Sequence, residues 1–164
     1  MAAMNQITLN SFRNELEKIG EEALAIRAYI TGPSGGGKTT YAKKFFPGRG
    51  FTTLHTDSYE YFVKQRKGRP RRKVDWKKLI AAAKASKKPV VIEGMDANKK
   101  LLRIAQERIV VDPGMKRVLA QRAGRGRSKK DPAWKGRKLY RTYRLEVRPV
   151  VMKYKPRVVR QFDP

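Results

Sequence analysis

The stretch that decides the fold is Gly32-Pro33-Ser34-Gly35-Gly36-Gly37-Lys38-Thr39-Thr40. It fits the pattern G-x-x-x-x-G-K-S/T in full. Glycines let the backbone curl so that successive N–H groups point inward at an anion. In this pattern the lysine reaches the β- and γ-phosphates of a nucleoside triphosphate, and the hydroxyl after it holds Mg²⁺. The stretch therefore predicts binding of ATP and Mg²⁺, with Lys38 at the phosphates and Thr39 at the metal.

The residues on either side of this stretch support the prediction. Residues 25–31 read as a buried strand, and residues 39–46 read as a helix whose N-terminus faces the bound anion. The alternative is a glycine-rich turn that matches by chance, which needs strand, loop, lysine and helix to coincide. The predicted nucleotide-binding residues are Gly32, Ser34, Gly35, Gly36, Gly37, Lys38, Thr39 and Thr40.

Length and composition limit the kind of protein. A chain of 164 residues suits one domain over residues 1–164 with a proper core. It has no cysteine, so disulfides and thiolate metal sites are excluded. The sequence shows neither a secretion signal nor an apolar run of membrane-spanning length. We therefore expect a soluble cytoplasmic protein with no membrane partner.

The net charge of the chain is the second feature that bears on its function. Forty Lys and Arg residues stand against fourteen Asp and Glu residues, a net charge of +26. ATP needs only a few cations, and such an excess is self-repulsive unless a polyanion shares the surface. A surface that only maintains solubility is the alternative, but it would more usually mix both signs. The charge predicts a nucleic-acid partner but does not distinguish DNA from RNA; DNA is favoured only by the resemblance described below.

Apolar runs alternate with helical patterns along the rest of the chain. Strands are predicted at residues 51–56, 90–94, 108–112 and 157–162, and helices at residues 74–86, 99–106, 115–123 and 137–147. An N-terminal amphipathic helix, within residues 1–24, is predicted to cover the sheet. This order predicts an α/β fold: a parallel sheet of about five strands with helices on both faces.

Ligands of such sheets bind beyond the carboxyl ends of the strands, where Gly32, Asp57, Glu93 and Asp112 are predicted. Asp57 is the candidate base for an acceptor hydroxyl, or else a helix cap. Glu93 is a candidate to bind Mg²⁺ through water or to contact the acceptor. Asp112, before a Pro-Gly pair, is typical of a turn. His55, the single histidine, is expected to pack or hydrogen-bond near the site.

An arginine-rich lid is predicted over residues 122–137. Arg122, Arg125 and Arg127 lie where a mobile segment would close over the γ-phosphate. The planar guanidinium binds phosphate oxygens bidentately, and the intervening glycines permit hinge motion. Gripping nucleic acid is the other use of these arginines, and the two uses are compatible.

In this order the motifs resemble the P-loop nucleoside and nucleotide kinases, most closely the uridine-kinase branch, from about residue 26 to the C-terminus. Asp57-Ser58-Tyr59 is similar to the family's Asp-Ser-Phe-Tyr motif, whose aspartate activates the acceptor hydroxyl. Residues 91–94 resemble its third strand with Glu-Gly, and residues 118–125 resemble its lid helix with Arg-x-x-Arg. The resemblance implies a P-loop kinase fold. The catalytic residues that it implies are Lys38, Asp57, Arg122 and Arg125.

The acceptor side departs from that family. Residues 58–73 are strongly basic, where a small nucleoside would need a mostly neutral pocket. A kinase with this surface is expected to act on a hydroxyl carried by a polyanion. Here the sequence resembles compact phage kinases that phosphorylate 5-hydroxymethyluracil within DNA. That reaction requires the base to be flipped out of the stack, at a cost of a few kcal/mol.

The residues predicted to contact such a substrate are Tyr59, Tyr61, Arg69, Arg71, Arg72 and Arg127. The tyrosines would stack on a flipped base, or they are ordinary core residues. Two other classes of protein stay open: a small-molecule nucleoside kinase, and a nucleic-acid-binding NTPase without kinase activity. The first explains every motif but not the charge. The second explains the charge and the loop but leaves Asp57 and the lid arginines without a role.

Overall fold

A five-stranded sheet forms the centre of the computed structural model, which describes residues 26–61, 74–124 and 133–160. The strands are β1 (Ile26–Thr31), β2 (Thr52–His55), β3 (Val90–Gly94), β4 (Glu107–Val111) and β5 (Arg157–Val159). Their order is β2-β3-β1-β4-β5, and every neighbouring pair is parallel. The prediction of an α/β fold with about five parallel strands is confirmed.

Six α-helices alternate with these strands or follow them in the described residues: α1 (Lys38–Phe45), α2 (Trp76–Ala85), α3 (Lys99–Ile104), α4 (Met115–Gly124), α5 (Ala133–Thr142) and α6 (Arg148–Met152). A 3-10 turn (Tyr59–Tyr61) follows β2. Side-chain caps fix two helix starts, since Asp75 accepts from the N–H of Lys78 and Asn98 from that of Leu101, each at 3.1 Å. The helix predicted from residue 74 therefore begins two residues later, after its cap.

Helices cover both faces of the sheet, because successive strand residues point to opposite sides. On one face, strand residues pack against Tyr41, Ala42 and Phe46, in and just after α1. The strand residues of that face include Ala28, Ile30, Val91, Ile109 and Val111. On the other face, Tyr29, Ile92 and Val110 share a core with Leu79 of α2, Leu101 and Leu102 of α3, and Val151 of α6. The prediction of helices on both faces is confirmed.

The two central connections leave the sheet on opposite faces. After β1 the chain passes through α1 on one face to β2, and after β3 it passes through α3 on the other face to β4. Because β1 and β3 are neighbours, a crevice opens between their carboxyl ends. Residues 32–37 and 95–98, which follow these two strands, border that crevice.

The last helical segment is longer than predicted. The sequence predicted a helix over residues 137–147, ending before Arg148-Pro149, but α5 continues through a π-helical turn (Tyr143–Val147) into α6. The N–H of Arg148 bonds to the carbonyl of Tyr143, five residues earlier. Proline has no N–H and collides with the carbonyl four residues before it, so the wider π turn makes room for Pro149.

Several predicted features fall outside the described residues: the covering helix within residues 1–24, residues 62–73 of the basic segment, and residues 125–132 of the lid. The final strand, predicted to residue 162, ends at Val159. Among the described residues, no helix has the length and apolar character needed to span a membrane.

Candidate nucleotide and acceptor site

The glycine-rich loop, residues 32–37, connects β1 to α1, and its glycines meet specific steric demands. A Cβ at position 32 would lie 2.2 Å from the carbonyl oxygen of Val111, so only glycine fits there. Gly35 has φ +85°, and a Cβ there would lie 2.6 Å from Cγ of Arg122. The N–H of Gly36 closes a tight turn on the carbonyl of Pro33 at 3.0 Å. Gly37 precedes α1, whose N-terminal N–H groups begin where the loop ends.

Lys38 is held inside this loop. It is the first residue of α1 and is only 8% exposed. Its Nζ donates to the carbonyl of Pro33 at 3.0 Å, so the ammonium group lies back along the loop rather than out in solvent. A buried ammonium at the N-terminus of a helix makes the loop a cationic concavity, suited to an anion.

Thr39 meets Glu93 across the crevice. Thr39 Oγ1 donates to Glu93 Oε1 at 2.8 Å, although the two residues are 54 positions apart in the sequence. Glu93, in β3, is 4% exposed, whereas Thr39 and Thr40 are both exposed. The structure thus brings together the two residues that the sequence assigned to Mg²⁺.

His55 completes a short polar chain with Glu93. Its Nδ1 lies 3.1 Å from Glu93 Oε2. Contact with Glu93 raises the pKa of His55 above its usual value, although partial burial opposes this. For Glu93, burial alone raises the pKa, but His55, Thr39 and the charge of Lys38 outweigh it and lower the pKa. Glu93 is therefore an ionised carboxylate at neutral pH. The expectation that His55 lies near the site is confirmed.

The donor set suits Mg²⁺. Within the described ranges, Glu93 Oε2 is buried and lies 3.1 Å from His55 Nδ1 without a well-aligned hydrogen bond, so the atom retains the capacity to bind a cation or its water. The described residues contain no group of three or more His, Cys, Asp or Glu that could hold a metal. Mg²⁺ is usually bound through one or two protein oxygens, with phosphates and waters completing the octahedron. Thr39 and Glu93 fit that mode.

Arg122 is the lid arginine that the described residues include. It lies in the last turn of α4, and its Nη1 donates to Ser34 Oγ at 2.9 Å. Its aliphatic stem packs against Gly35. One predicted lid arginine therefore reaches the glycine-rich loop, whereas Arg125 and Arg127 lie outside the described residues.

Of the residues predicted to contact the acceptor, the structure describes some, and the others lie outside the described residues. Asp57 is exposed just beyond β2, and its negative charge contributes to raising the pKa values of His55 and Asp96. Tyr61 is only 6% exposed and belongs to the core, in line with the alternative that it is an ordinary core residue. Burying the ring removes apolar area from water, which is the reason for its core position. The side chain of Tyr59 and the arginines Arg69, Arg71 and Arg72 lie outside the described residues.

Asp96, which follows β3 in the crevice, was not predicted from the sequence. The hydroxyl of Tyr29 donates to the Asp96 carbonyl at 2.6 Å, and Thr56 Oγ1 lies 3.5 Å from Asp96 Oδ2. Burial raises the pKa of Asp96, and the charge of Asp57 raises it further, while Lys38 opposes the shift. The position of Asp96 shortly after a predicted strand could have identified it, because the rule that ligands bind beyond the carboxyl ends of strands also selects Glu93.

A cavity of about 420 Å³ opens beside Asp96. It lies between the start of α2, the loop after β3, and the last helical segment. Its walls include Val74, Trp76, Asp96, Glu146, Val147 and Val150. Its volume lies in the usual range for sites of small ligands, and its lining combines apolar walls with a few polar groups.

The carboxylate of Asp112 contacts other groups of the protein. Its Oδ1 accepts from the N–H of Gly114 at 3.3 Å and from the hydroxyl of Tyr140 at 3.0 Å. Arg144 and Arg148 each lie 3.7 Å from Oδ2. The prediction that Asp112 forms a turn is confirmed, and its carboxylate also anchors the last helical segment to the end of β4.

The chain matches no protein-family model, and a search of curated proteins finds no significant match. What the fold defines is an α/β protein with a five-stranded parallel sheet and a polar crevice at its carboxyl edge. A fold of this kind hosts many activities, so the chemistry of the crevice is what bears on function.

Proposed function

We propose that this chain is an ATP-dependent P-loop kinase that phosphorylates a hydroxyl on a nucleic acid, with the 5-hydroxymethyl group of 5-hydroxymethyluracil in DNA as the favoured acceptor. The observation that carries the kinase proposal is the convergence of Lys38, Thr39, Glu93 and Arg122 around the glycine-rich loop. Two cations and a hydroxyl–carboxylate pair meet there, beside the N-terminus of a helix. These groups are what phosphoryl transfer requires for positioning and charge neutralisation.

The reaction assigns a task to each residue. The acceptor oxygen forms a bond to the γ-phosphorus while the bond from that phosphorus to the β–γ bridging oxygen breaks, and ADP leaves. Asp57 takes the proton of the acceptor hydroxyl and passes it to solvent. Lys38 and Arg122 neutralise the phosphate oxygens. Thr39 and Glu93 would hold Mg²⁺, which supplies further charge neutralisation of the phosphates when it is bound.

The charge of the chain supports a polymeric acceptor. A net charge of +26 far exceeds what ATP requires. Part of this excess lies on the last helical segment, where Arg137, Arg141 and Arg144 are exposed at spacings of four and three residues. That spacing places them on one side of a helix, which suits contact with a row of backbone phosphates.

A small-molecule nucleoside kinase is the second candidate. The cavity beside Asp96 favours it, because about 420 Å³ suits a small ring system better than a duplex. A duplex substrate is compatible with the same cavity if the reacting base is flipped out of the stack. The two candidates therefore share the phosphate chemistry and differ in what carries the hydroxyl.

The test is transfer of label from γ-labelled ATP to a panel of acceptors: DNA containing 5-hydroxymethyluracil, plain DNA, RNA and the free nucleoside. We expect label on the hydroxymethylated DNA, none on plain DNA or RNA, and less on the free nucleoside than on the hydroxymethylated DNA. Lys38→Ala should abolish transfer, whereas Lys87→Ala should not, because Lys87 is exposed just before the amino end of β3. Label on the free nucleoside with DNA inert would favour the second candidate. ATP hydrolysis without label on any acceptor would overturn the kinase proposal.

A further inference from the structure

The cavity between α2, the loop after β3 and the last helical segment is lined by acidic side chains, which is unusual in so basic a chain. Two carboxylates, Asp96 and Glu146, line it in a chain of net charge +26. We propose that this cavity binds the acceptor, and that it takes an uncharged, hydroxyl-bearing ring such as a nucleobase or nucleoside, not a phosphate group. The inference rests on the proposed kinase function and specifies its acceptor subsite.

The carboxylates select against phosphate. Neither Asp96 nor Glu146 offers a donor when ionised, so both repel an anionic group and both accept from N–H or O–H donors. Pyrimidine rings and hydroxymethyl groups carry such donors. A phosphate acceptor, as in a nucleotide kinase, would instead require cations in the cavity.

The remaining walls suit a flat ring. Trp76 and three valines, Val74, Val147 and Val150, form the apolar part of the lining. These side chains are only partly buried, so they keep surface that a ligand can cover. Stacking of a base on an aromatic side chain contributes about 1–3 kcal/mol. Trp76 thus offers the stacking surface that the buried Tyr61 does not.

Asp96 connects the cavity to the reacting groups. Its Oδ2 lies 3.5 Å from the hydroxyl of Thr56, the residue before the candidate base Asp57. Asp96 also follows Glu93, which contacts Thr39, by three positions. The separation of 3.5 Å from the Thr56 hydroxyl is at the limit of hydrogen-bond distance. A donor from a bound ring would add a shorter hydrogen bond to this carboxylate.

The backbone that carries Asp96 is fixed in advance. Tyr29 donates to the Asp96 carbonyl at 2.6 Å, and Thr31 donates to that of Met95 at 3.4 Å. Thr56 packs so closely on Gly94 that a Cβ at position 94 would lie 1.7 Å from its Oγ1. Asp96 therefore has a defined position before any acceptor binds, as a precise subsite requires.

The test is a binding titration without ATP. The chain has two tryptophans, so Trp134→Phe leaves Trp76 as the sole tryptophan reporter. In that background, 5-hydroxymethyl-2′-deoxyuridine should change Trp76 fluorescence, and its 5′-monophosphate should bind no more tightly at about 0.15 M salt, despite the positive net charge. Asp96→Asn should weaken binding of the nucleoside about tenfold or more, the usual effect of losing a hydrogen bond to a charged group. Glu107→Gln, an equal charge change at the amino end of β4, should leave it unchanged.

A second variant covers the case in which Asp96→Asn fails to fold. Val150→Phe fills the cavity from α6 without touching either carboxylate, and it should also weaken binding. No fluorescence response to the nucleoside, tighter binding of the monophosphate, or wild-type affinity in a folded Asp96→Asn or Val150→Phe protein would overturn the inference.

The outcomes separate this inference from the proposed function. Phosphoryl transfer that is insensitive to both cavity variants would overturn the subsite and leave the kinase standing. Nucleoside binding that responds to both variants, in a protein that transfers no label, would support the cavity as a nucleoside site and overturn the kinase.

Discussion

Replacing Thr39 with valine removes one hydrogen bond at nearly constant shape. In the Mg²⁺-free protein, the Thr39 hydroxyl donates at 2.8 Å to a Glu93 carboxylate whose side chain is 5% exposed. A hydrogen bond to a charged group contributes about 1.5–3 kcal/mol, and leaving a buried carboxylate short of a donor adds a desolvation penalty. Because His55 still contacts Glu93, we expect a loss of about 1.5 kcal/mol, at the lower end of this range.

Urea unfolding measures this loss. At an m-value of about 2 kcal/mol/M, the midpoint should fall by about 0.7 M. Thr40→Val is the matched control, since it makes the same chemical change at the next, exposed position of α1 and should shift stability by less than about 0.5 kcal/mol. In a double-mutant cycle with Glu93→Gln, we expect a coupling energy of about 1 kcal/mol. Equal effects of the two threonine variants, or strictly additive effects of Thr39→Val and Glu93→Gln, would refute the Thr39–Glu93 pairing.

Three further predictions concern the candidate general base Asp57, the pKa of His55 and binding to duplex DNA. Asp57→Asn should lower kcat for phosphoryl transfer about 10²–10⁴-fold with little change in the KM for ATP. An effect below about threefold would indicate that Asp57 is a helix cap and not the base. His55 gives the only histidine signal in an NMR titration; in Mg²⁺-free buffer its pKa should lie above about 6.5 and should fall in Glu93→Gln. Because the folded-state pKa is the higher one, the stabilisation from His55 is complete below the unfolded-state pKa and is lost as pH rises through the folded-state pKa, which pH-dependent unfolding checks. Binding to duplex DNA should weaken linearly in a log–log salt plot, with a slope of about −0.9 per phosphate contacted. In a variant with Arg69, Arg71 and Arg72 replaced by alanine, the slope should become shallower by the equivalent of up to about three phosphate contacts. An unchanged slope in this variant would exclude the three arginines from the DNA contact.

The sequence predicted the sheet and one side of the crevice well, because the signals there are local. Buried parallel strands read as continuous apolar runs, and β3 begins and ends where predicted. The rule that ligands bind beyond the carboxyl ends of strands placed Glu93 beside the glycine-rich loop, where Thr39 now contacts it. Local pattern and general topology were sufficient for these residues.

The acceptor side depends on contacts between distant residues, and local patterns do not show them. Asp96 is positioned by Tyr29, which is 67 residues away, and by Thr56, which is 40 residues away. Tyr61 lies in the core and Trp76 is only partly buried against it, a difference that depends on how distant elements pack together. The π turn before Pro149 is a response to strain, which periodicity alone does not predict.

The bonds that Lys38 and Arg122 make to the protein bear on which anions the site accepts. Lys38 Nζ donates to the Pro33 carbonyl and Arg122 to the Ser34 hydroxyl, so both cations are held at the glycine-rich loop before an anion binds. A triphosphate presents many oxygens to these two cations at once, whereas a backbone phosphodiester presents only two non-bridging oxygens. Under the proposed function, this difference would favour ATP over the backbone phosphates of a nucleic-acid acceptor at the glycine-rich loop.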